Sequence, residues 1–209
     1  MAKTTNFRIV TISKNPWYRV HRFSSTSGNY GPLAFNSSGL GNARFSPLLV
    51  PDTDDVIPTL YAVDTLAGAV AEVLLHDIPE PSAGYIHDWG RDRMSDLCMS
   101  TIALPKLRLA NLTSTGLRAA ALTQADLFAP LSSRYPAARL HALNIWRDIP
   151  AAQGLCWMSV GDNRSMALML FGDRVAAGDM TLIDGPTPIA AYEQIVFALL
   201  DELGCGLIM

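Results

Sequence analysis

The chain has 209 residues, of which 49% are hydrophobic and 17% charged, and its net charge at pH 7 is −3. This length and composition predict a globular domain with a sizeable core and argue against a disordered chain. The small negative charge argues against a general basic surface for nucleic acid or membrane. We therefore expect a single domain over residues 1–209, with no direct nucleic-acid partner and no membrane partner.

The three cysteines, Cys98, Cys156 and Cys205, are far apart, and no Cys or His cluster has metal-ligand spacing. Reduced, mostly buried thiols are the default for such a set and fit a cytosolic protein. The N-terminal sequence MAKTTNFRIV lacks the apolar core of a signal peptide, and no window approaches the ~18 apolar residues of a membrane span. The sequence therefore predicts a cytoplasmic protein without a metal.

Two strands are predicted near the N-terminus, an edge strand at 7–12 and a second strand at 17–23. In the second strand, alternation places Arg19 and His21 on one face. The polar loop at 24–42 contains the start of GLGNAR, which lacks the third glycine and the strand–helix context of a dinucleotide-binding motif. We therefore expect no Rossmann site.

A buried strand at 57–63 is predicted to lead into a helix capped by Asp64 or Thr65. An apolar stripe at helical spacing is expected to face the core, formed by Leu66, Val70, Val73 and Leu74. Glu72 lies about 145° from the centre of this stripe, on the side of Gly68. A glycine inside a helix costs about 1 kcal/mol relative to alanine, which suggests a close approach at Gly68. Glu72 is thus either a pocket residue or an ordinary surface glutamate.

The second half of the chain mixes strands and helices without a regular βαβ order. Strands are predicted at 97–104, 107–112, 154–159, 166–171, 181–183 and 207–209, and helices within 113–128 and at 136–149 and 190–203. We expect Leu140, Leu143 and Trp146 to form the apolar side of the 136–149 helix. This pattern predicts the α+β class.

Four short motifs occur in a consistent order: WYRV at 17–20, GNARF at 41–45, PTLYAVDTLAGAVAE at 58–72 and GLCWMS at 154–159. Together they resemble the RES domain family, over roughly residues 16–175. The resemblance implies an ADP-ribosyltransferase-like fold with a mixed, split β-sheet flanked by helices. It also implies the toxin of a bacterial toxin–antitoxin pair, with a separate Xre-like antitoxin that covers the pocket or orders its loops.

The family is named for an arginine, a glutamate and a serine. The resemblance places these on Arg19, Glu72 and Ser159 as catalytic residues. Ser132 and Ser133 are alternative serines in a less motif-like context. The implied substrate is NAD⁺, whose nicotinamide–ribose bond is broken and whose ADP-ribose passes to water, phosphate or a protein target.

The same resemblance places Arg44 and Tyr61 in the pocket as NAD⁺-binding residues. Family members often carry a Trp-Asn pair after this second arginine, whereas the present chain has RFSP at 44–47. The role of this loop therefore stays open.

These residue types suit the chemistry. Nicotinamide leaves as a neutral base, so a carboxylate such as Glu72 has to stabilise the positive charge on the ribose. Arg19 and Arg44 suit the pyrophosphate through planar, charge-assisted hydrogen bonds. Tyr61 can stack on the nicotinamide or ribose, and Ser159 can hydrogen-bond the amide or a ribose hydroxyl.

Each candidate also has an ordinary structural alternative: surface ion pairs for the arginines, a core position for Tyr61 and a strand-to-turn position for Ser159. His21 and His76 are possible pocket residues, although a structural role is expected for both. The alternative function is a non-catalytic nucleotide-binding or protein-interaction module with a RES-like fold.

Overall fold

The computed structural model describes residues 6–23, 31–51, 53–75, 78, 82, 84–88, 96–128 and 135–208. The strands are β1 (Ile9–Ile12), β2 (Trp17–Arg22), β3 (Leu48–Leu49), β4 (Val56–Ile57), β5 (Thr59–Val63), β6 (Ile86–Asp88), β7 (Leu97–Ala103), β8 (Leu107–Asn111), β9 (Gly154–Met158), β10 (Met166–Phe171), β11 (Thr181–Pro188) and β12 (Gly206–Ile208). The α-helices are α1 (Leu66–Leu74), α2 (Ser114–Ala119), α3 (Gln124–Phe128), α4 (Tyr135–Asp148) and α5 (Glu193–Glu202).

Eight strands form one mixed sheet in the order β1-β8-β9-β10-β5-β2-β7-β11. β8 and β9 are parallel, whereas the other neighbours in this sheet are antiparallel. β3 pairs with β4, and β12 pairs with β6, in two small separate sheets. A large mixed sheet with helices between its strands confirms the predicted α+β class.

The large sheet is split between β2 and β5. Within these two described strands, pairing is restricted to Tyr18 and Val63. On their other sides, β2 pairs with β7 along its whole length, and β5 does the same with β10. Because β2 and β5 separate after one residue pair, the sheet opens between them and leaves room for a cleft.

The core lies on both faces of the sheet, because successive side chains of a strand point to opposite faces. In β10, Ala167, Met169 and Phe171 pack in the larger cluster with residues of α1, α4 and α5. Leu168 and Leu170 belong to the smaller cluster, which loop residues complete on the other face. This alternation explains why the central strands are apolar throughout and were predicted from the sequence.

Helix α4 buries small residues and Ile145, and of the predicted large residues Leu143 and Trp146 pack against the core, whereas Leu140 does not. Ala138, Ala142 and Ile145 are buried, whereas Leu140 is 58% exposed. The prediction that Leu140 faces the core was therefore wrong. Small side chains allow α4 to lie close to the body of the protein, and the large residues are displaced to its flanks.

Helix α1 is buried on more than one side, since Gly68, Ala69, Val70 and Ala71 are all buried. The single apolar stripe predicted for this helix is therefore incomplete, and Val73 lines the cleft instead.

Thr65 is the N-cap of α1, and its hydroxyl accepts a hydrogen bond from the Gly68 N–H at 3.0 Å. The other predicted cap, Asp64, accepts instead from the Met166 N–H at 2.8 Å and from Lys14 at 2.8 Å. Asp64 therefore joins the end of β5 to the beginning of β10.

The C-terminal region differs from prediction in three ways. β12, close to the strand predicted at 207–209, pairs in parallel with β6, a strand that was not predicted. β11 extends over Thr181–Pro188, well beyond the predicted 181–183. The α-helix predicted from 190 begins at Glu193, after a 3₁₀ turn at Ile189–Tyr192. β6 is too short to show an alternating pattern, and β11 is interrupted by two shifts in register.

In the part of the chain that the structure describes, no helix is both long enough and apolar enough to cross a membrane.

Candidate active site

A cleft of about 510 Å³ lies where β2 and β5 separate. Its lining includes residues of β2, β5 and α1, the loop at 42–46 and Tyr135 at the start of α4. This volume is in the range of about 300–1,000 Å³ that is usual for small-molecule sites. Four of the predicted residues line this cleft, namely Arg19, Arg44, Tyr61 and Glu72.

Arg19 lies on β2 and is partly buried in the lining of the cleft. Burial lowers the pKa of its guanidinium to about 10. Nη1 donates one hydrogen bond, to the carbonyl oxygen of Pro32 at 3.1 Å. Among the described residues, no carboxylate forms an ion pair with Arg19. A partly buried cation that forms one hydrogen bond among the described residues favours the binding of an anion.

Glu72 lies on the side of α1 that lines the cleft. Its Oε1 accepts a hydrogen bond from the backbone N–H of Val160 at 3.1 Å. Val160 belongs to the turn between β9 and β10. The carboxylate is therefore held by a backbone donor from a segment distant in the chain, and this bond limits its rotation.

Tyr61 extends from β5, and its hydroxyl donates to Ser46 Oγ at 3.2 Å. Its ring meets the ring of Trp157 edge-on, with 6.2 Å between the centroids. Burial raises the pKa of the phenol well above its ordinary value, and the negative charge of Glu72 raises it further. Tyr61 is thus neutral at physiological pH and forms a rigid part of the cleft wall. Its partner Ser46 also lines the cleft, and the sequence did not indicate it.

Arg44 is engaged with aromatic rings beside the cleft. Its guanidinium lies over the ring of Tyr135 at 5.1 Å and over that of Phe128 at 5.6 Å. Nη1 donates to the carbonyl oxygen of Leu127 at 3.1 Å. Arg44 therefore joins the loop at 42–46 to α3 and α4, in addition to lining the cleft.

Arg139 of α4 is a residue of the site region that sequence analysis missed. Its Nε and Nη2 donate to the carbonyl oxygen of Ala43 at 3.1 and 2.9 Å, and Nη2 also reaches Asn42 Oδ1. Its positive charge lowers the pKa of Tyr61 against the larger effect of burial. The contact joins positions 96 residues apart, so no local motif indicates it.

Ser159 is fully buried directly after β9 and does not line the cleft. Its N–H donates to the carbonyl oxygen of Ser165 at 2.8 Å, and its Oγ accepts from the Asp162 N–H at 3.1 Å. It precedes Val160, whose N–H binds Glu72. A contact between Ser159 and a ligand stays a prediction, whereas its place in this turn is a structural fact. The alternative serines at 132 and 133, and His76, lie outside the described residues.

His21 lines the cleft but both of its ring nitrogens are engaged. A backbone carbonyl can only accept, so Nδ1–H donates to the Arg22 oxygen at 3.1 Å. Nε2 then accepts from the Ser100 hydroxyl at 2.9 Å. This arrangement is what a structural histidine requires.

No group of three or more His, Cys, Asp or Glu side chains among the described residues can hold a metal ion. The charged residues that line the cleft are Arg19, Arg22, Arg44 and Glu72, and Tyr61, Tyr135 and Trp157 give it an aromatic side.

A model of the RES domain matches residues 16–189, so the chain belongs to the RES domain family. Among solved structures, it is similar to a chain of the M. tuberculosis MbcT–MbcA toxin–antitoxin complex, with a TM-score of 0.58 and 18% identity. This similarity covers 88% of the present chain and 91% of the other, and at this identity it establishes the fold. No match was found among curated proteins.

Proposed function

We propose that this protein is a cytoplasmic toxin of a toxin–antitoxin pair that cleaves the nicotinamide–ribose bond of NAD⁺ and passes ADP-ribose to an acceptor. Membership of the RES domain family and a fold shared with a chain of a toxin–antitoxin complex support this proposal. The observation that carries it is Arg19, a desolvated cation without an acidic partner among the described residues, in the same cleft as Glu72.

Arg19 binds the pyrophosphate of NAD⁺ in this proposal. One of its N–H groups is engaged by Pro32, and the remaining donors can form charge-assisted bonds to phosphate oxygens. Because the guanidinium is already desolvated in the fold, much of the cost of removing it from water is met before the ligand arrives.

Glu72 stabilises the positive charge that develops on the ribose as the bond to nicotinamide breaks. The bonding electrons leave with nicotinamide, which departs as a neutral base and needs no proton. An acceptor oxygen then bonds to the ribose carbon and loses its proton to solvent or to Glu72. The hydrogen bond from Val160 fixes the carboxylate for this role.

The ring of Tyr61 gives the nicotinamide or ribose a flat surface, and its neutral hydroxyl is held by Ser46. Arg44 and Arg139 shape the loop at 42–46 beside this surface. We assign Arg44 to the end of the cleft that holds the rest of the dinucleotide, where its charge adds to that of Arg19.

The antitoxin is proposed to be a separate, Xre-like protein that covers the cleft or orders the loops around it. The name of the similar solved structure, a toxin–antitoxin complex, supports a protein partner of this kind. An antitoxin that blocks the cleft is expected to reduce both NAD⁺ binding and nicotinamide release in proportion to its occupancy.

Nicotinamide release from NAD⁺ by the purified chain tests the activity. Replacement of a group that stabilises transition-state charge commonly costs about 100-fold or more, so Glu72→Gln is expected to lower kcat by at least this factor. Glu193→Gln, at the start of α5 and outside the lining of the cleft, is the matched control and should retain wild-type release. Equal release from wild type and Glu72→Gln would contradict the role of Glu72.

The acceptor is identified by incubating the enzyme with NAD⁺ labelled in its ADP-ribose part and a cell lysate. A discrete labelled protein band indicates transfer to a protein target. Free ADP-ribose, or its phosphorylated form in phosphate buffer, indicates hydrolysis or phosphorolysis. Binding of NAD⁺ without release of nicotinamide under any of these conditions would favour the non-catalytic nucleotide-binding module.

A further inference from the structure

The turn between β9 and β10, residues 159–165, is unusually close to α1, and we call it the Asp162 turn. A Cβ atom added to Gly68 would lie 2.5 Å from both Cβ and Oγ of Ser165. A Cβ atom added to Gly161 would lie 3.2 Å from Cβ of Ala71. Gly68 of α1 and Gly161 of the turn therefore allow the turn to lie against the helix. The Gly68 contact is one helical turn before Glu72, and the Gly161 contact is at Ala71, directly before Glu72.

A directed chain of hydrogen bonds also joins the two segments. Ser165 donates to Asp162 Oδ2 at 2.6 Å, and this bond uses its single hydroxyl proton. Thr65 must then be the donor in its 2.5 Å bond to Ser165 Oγ. The oxygen of Thr65 in turn accepts from the Gly68 N–H at 3.0 Å. The chain thus runs from the first turn of α1 to the carboxylate of Asp162.

Asp162 organises the turn from its buried position, with its side chain 5% exposed. Its Oδ1 accepts from Nε of Arg164 at 2.8 Å, and its backbone N–H donates to Ser159 Oγ at 3.1 Å. Burial opposes the charge of Asp162, but hydrogen bonds from Ser165 and Arg164 outweigh it and hold the pKa of the carboxyl below its ordinary value. These bonds fix the backbone around Val160, whose N–H binds Glu72.

We propose that the Asp162 turn orients the Glu72 carboxylate through the N–H of Val160, and that Ser159 and Asp162 are positioning residues that do not touch the substrate. This inference rests on the proposed function, because it gives the turn a part in NAD⁺ cleavage. Among the described residues, Val160 supplies the one hydrogen bond that holds the Glu72 side chain. The other carboxylate oxygen is left for the ribose.

Kinetics of Ser159→Ala distinguish positioning from direct contact. Loss of a positioning bond is expected to lower kcat about tenfold, with KM unchanged, because about 1.4 kcal/mol of orientation is lost. The exposed Ser114→Ala is the matched control and should retain wild-type kcat. In a Glu72→Gln background, Ser159→Ala should cause no further loss, because both changes act on the same group.

Binding of NAD⁺ to the slow Glu72→Gln variant tests the alternative, in which Ser159 contacts the substrate. If Ser159 only orients Glu72, adding Ser159→Ala leaves Kd unchanged. If Ser159 donates a hydrogen bond to the substrate, its removal should weaken Kd by roughly 2- to 10-fold. The proposal would be overturned if Kd weakens by this factor and if the losses of kcat caused by Ser159→Ala and by Glu72→Gln multiply in the double variant.

Hydrogen exchange at the Val160 amide tests the geometry without any turnover. Ser159→Ala and the second variant, Asp162→Asn, should both speed exchange at Val160, while amides of β9 retain their protection. Unchanged exchange in both variants would overturn the proposal. If the wild type releases no nicotinamide, the proposed function fails, and exchange at Val160 still supports or overturns the link between the turn and Glu72.

Discussion

Two arginines of this protein are both partly buried, namely Arg19 in the cleft and Arg174, which follows β10 and packs near the C-terminal end of α4, and burial lowers the pKa of each. Their surroundings differ. Arg174 donates to the carbonyl oxygens of Ile149 at 3.0 Å and Ala152 at 2.7 Å, and also to that of Trp146. Among the described residues, Arg19 donates to a single carbonyl.

The fold itself supplies the hydrogen bonds that Arg174 needs, whereas Arg19 has donors that no described residue engages. Arg174 also lies over the rings of Trp146 and Phe171, at 5.5 and 5.4 Å, so its charge is satisfied on several sides. Burial also opposes the charge of Arg19, but among the described residues a single hydrogen bond offsets that cost. Proteins tolerate such an imbalance mainly at functional sites, where a bound group supplies the missing interactions.

The largest expected effect is on stability, at Arg174. Arg174→Met removes hydrogen bonds from a charged donor to three partly buried carbonyls near the end of α4, and we expect a loss of about 3–4 kcal/mol in unfolding free energy. Urea denaturation measures it. The exposed Arg147→Met, at the other side of the same helix end, is the control and should change stability little. A small effect at Arg174 would remove the contrast between the two arginines.

Arg19→Met should show the opposite pattern. We expect the unfolding free energy to stay within about 1 kcal/mol of wild type or to rise, since a poorly compensated buried charge is removed. The affinity for NAD⁺ should fall by about 30-fold, equivalent to about 2 kcal/mol, because the pyrophosphate loses its cation. Calorimetric titration of NAD⁺, paired with urea denaturation, measures both. A variant that is destabilised but binds normally would make Arg19 a second structural arginine.

The sequence predicted the parts of the fold that local patterns determine. The strand at 166–171 has the predicted bounds because an apolar run follows a polar turn, and both its faces are buried. The apolar face of α4 was predicted wrongly at Leu140, because pattern analysis favours large residues over the alanines that pack, whereas Leu143 and Trp146 do pack against the core. β6 and β12 form a parallel pair across more than one hundred residues, which no local pattern indicates.

For the site, family resemblance supplied the residues, and the structure supplied their arrangement. Arg19, Arg44, Tyr61 and Glu72 share the cleft because β2 and β5 separate, and hydrophobic periodicity has no information on such a split. The bond from Val160 to Glu72 spans 88 residues and uses a backbone donor, so residue type cannot indicate it.

The acidic side of the cleft is built more tightly than the Arg19 side, and Gly68→Ala tests this. The added Cβ would overlap Ser165, so we expect a net loss of about 1–2 kcal/mol, although alanine is the better helix former. Displacement of α1 should also lower nicotinamide release. Gly178→Ala, where a Cβ would have no neighbour within 4 Å, is the matched control and should be neutral or slightly stabilising. A neutral Gly68→Ala would show that the turn and helix can move apart.

The smallest expected effect concerns His141 of α4, a partly buried base that, unlike the two arginines, can give up its proton near neutral pH. Its Nδ1 is buried without a hydrogen-bond partner among the described residues, and burial lowers its pKa below 6.5 despite an opposing effect of Asp126. The unfolded chain therefore binds a proton more readily, so stability should fall as pH drops through about 6.5 and should be unaffected above it. Melting temperatures of wild type and His141→Gln between pH 5 and 8 measure this, and the variant should show the shallower dependence. Parallel curves would mean that burial does not oppose the charge of His141 in the fold.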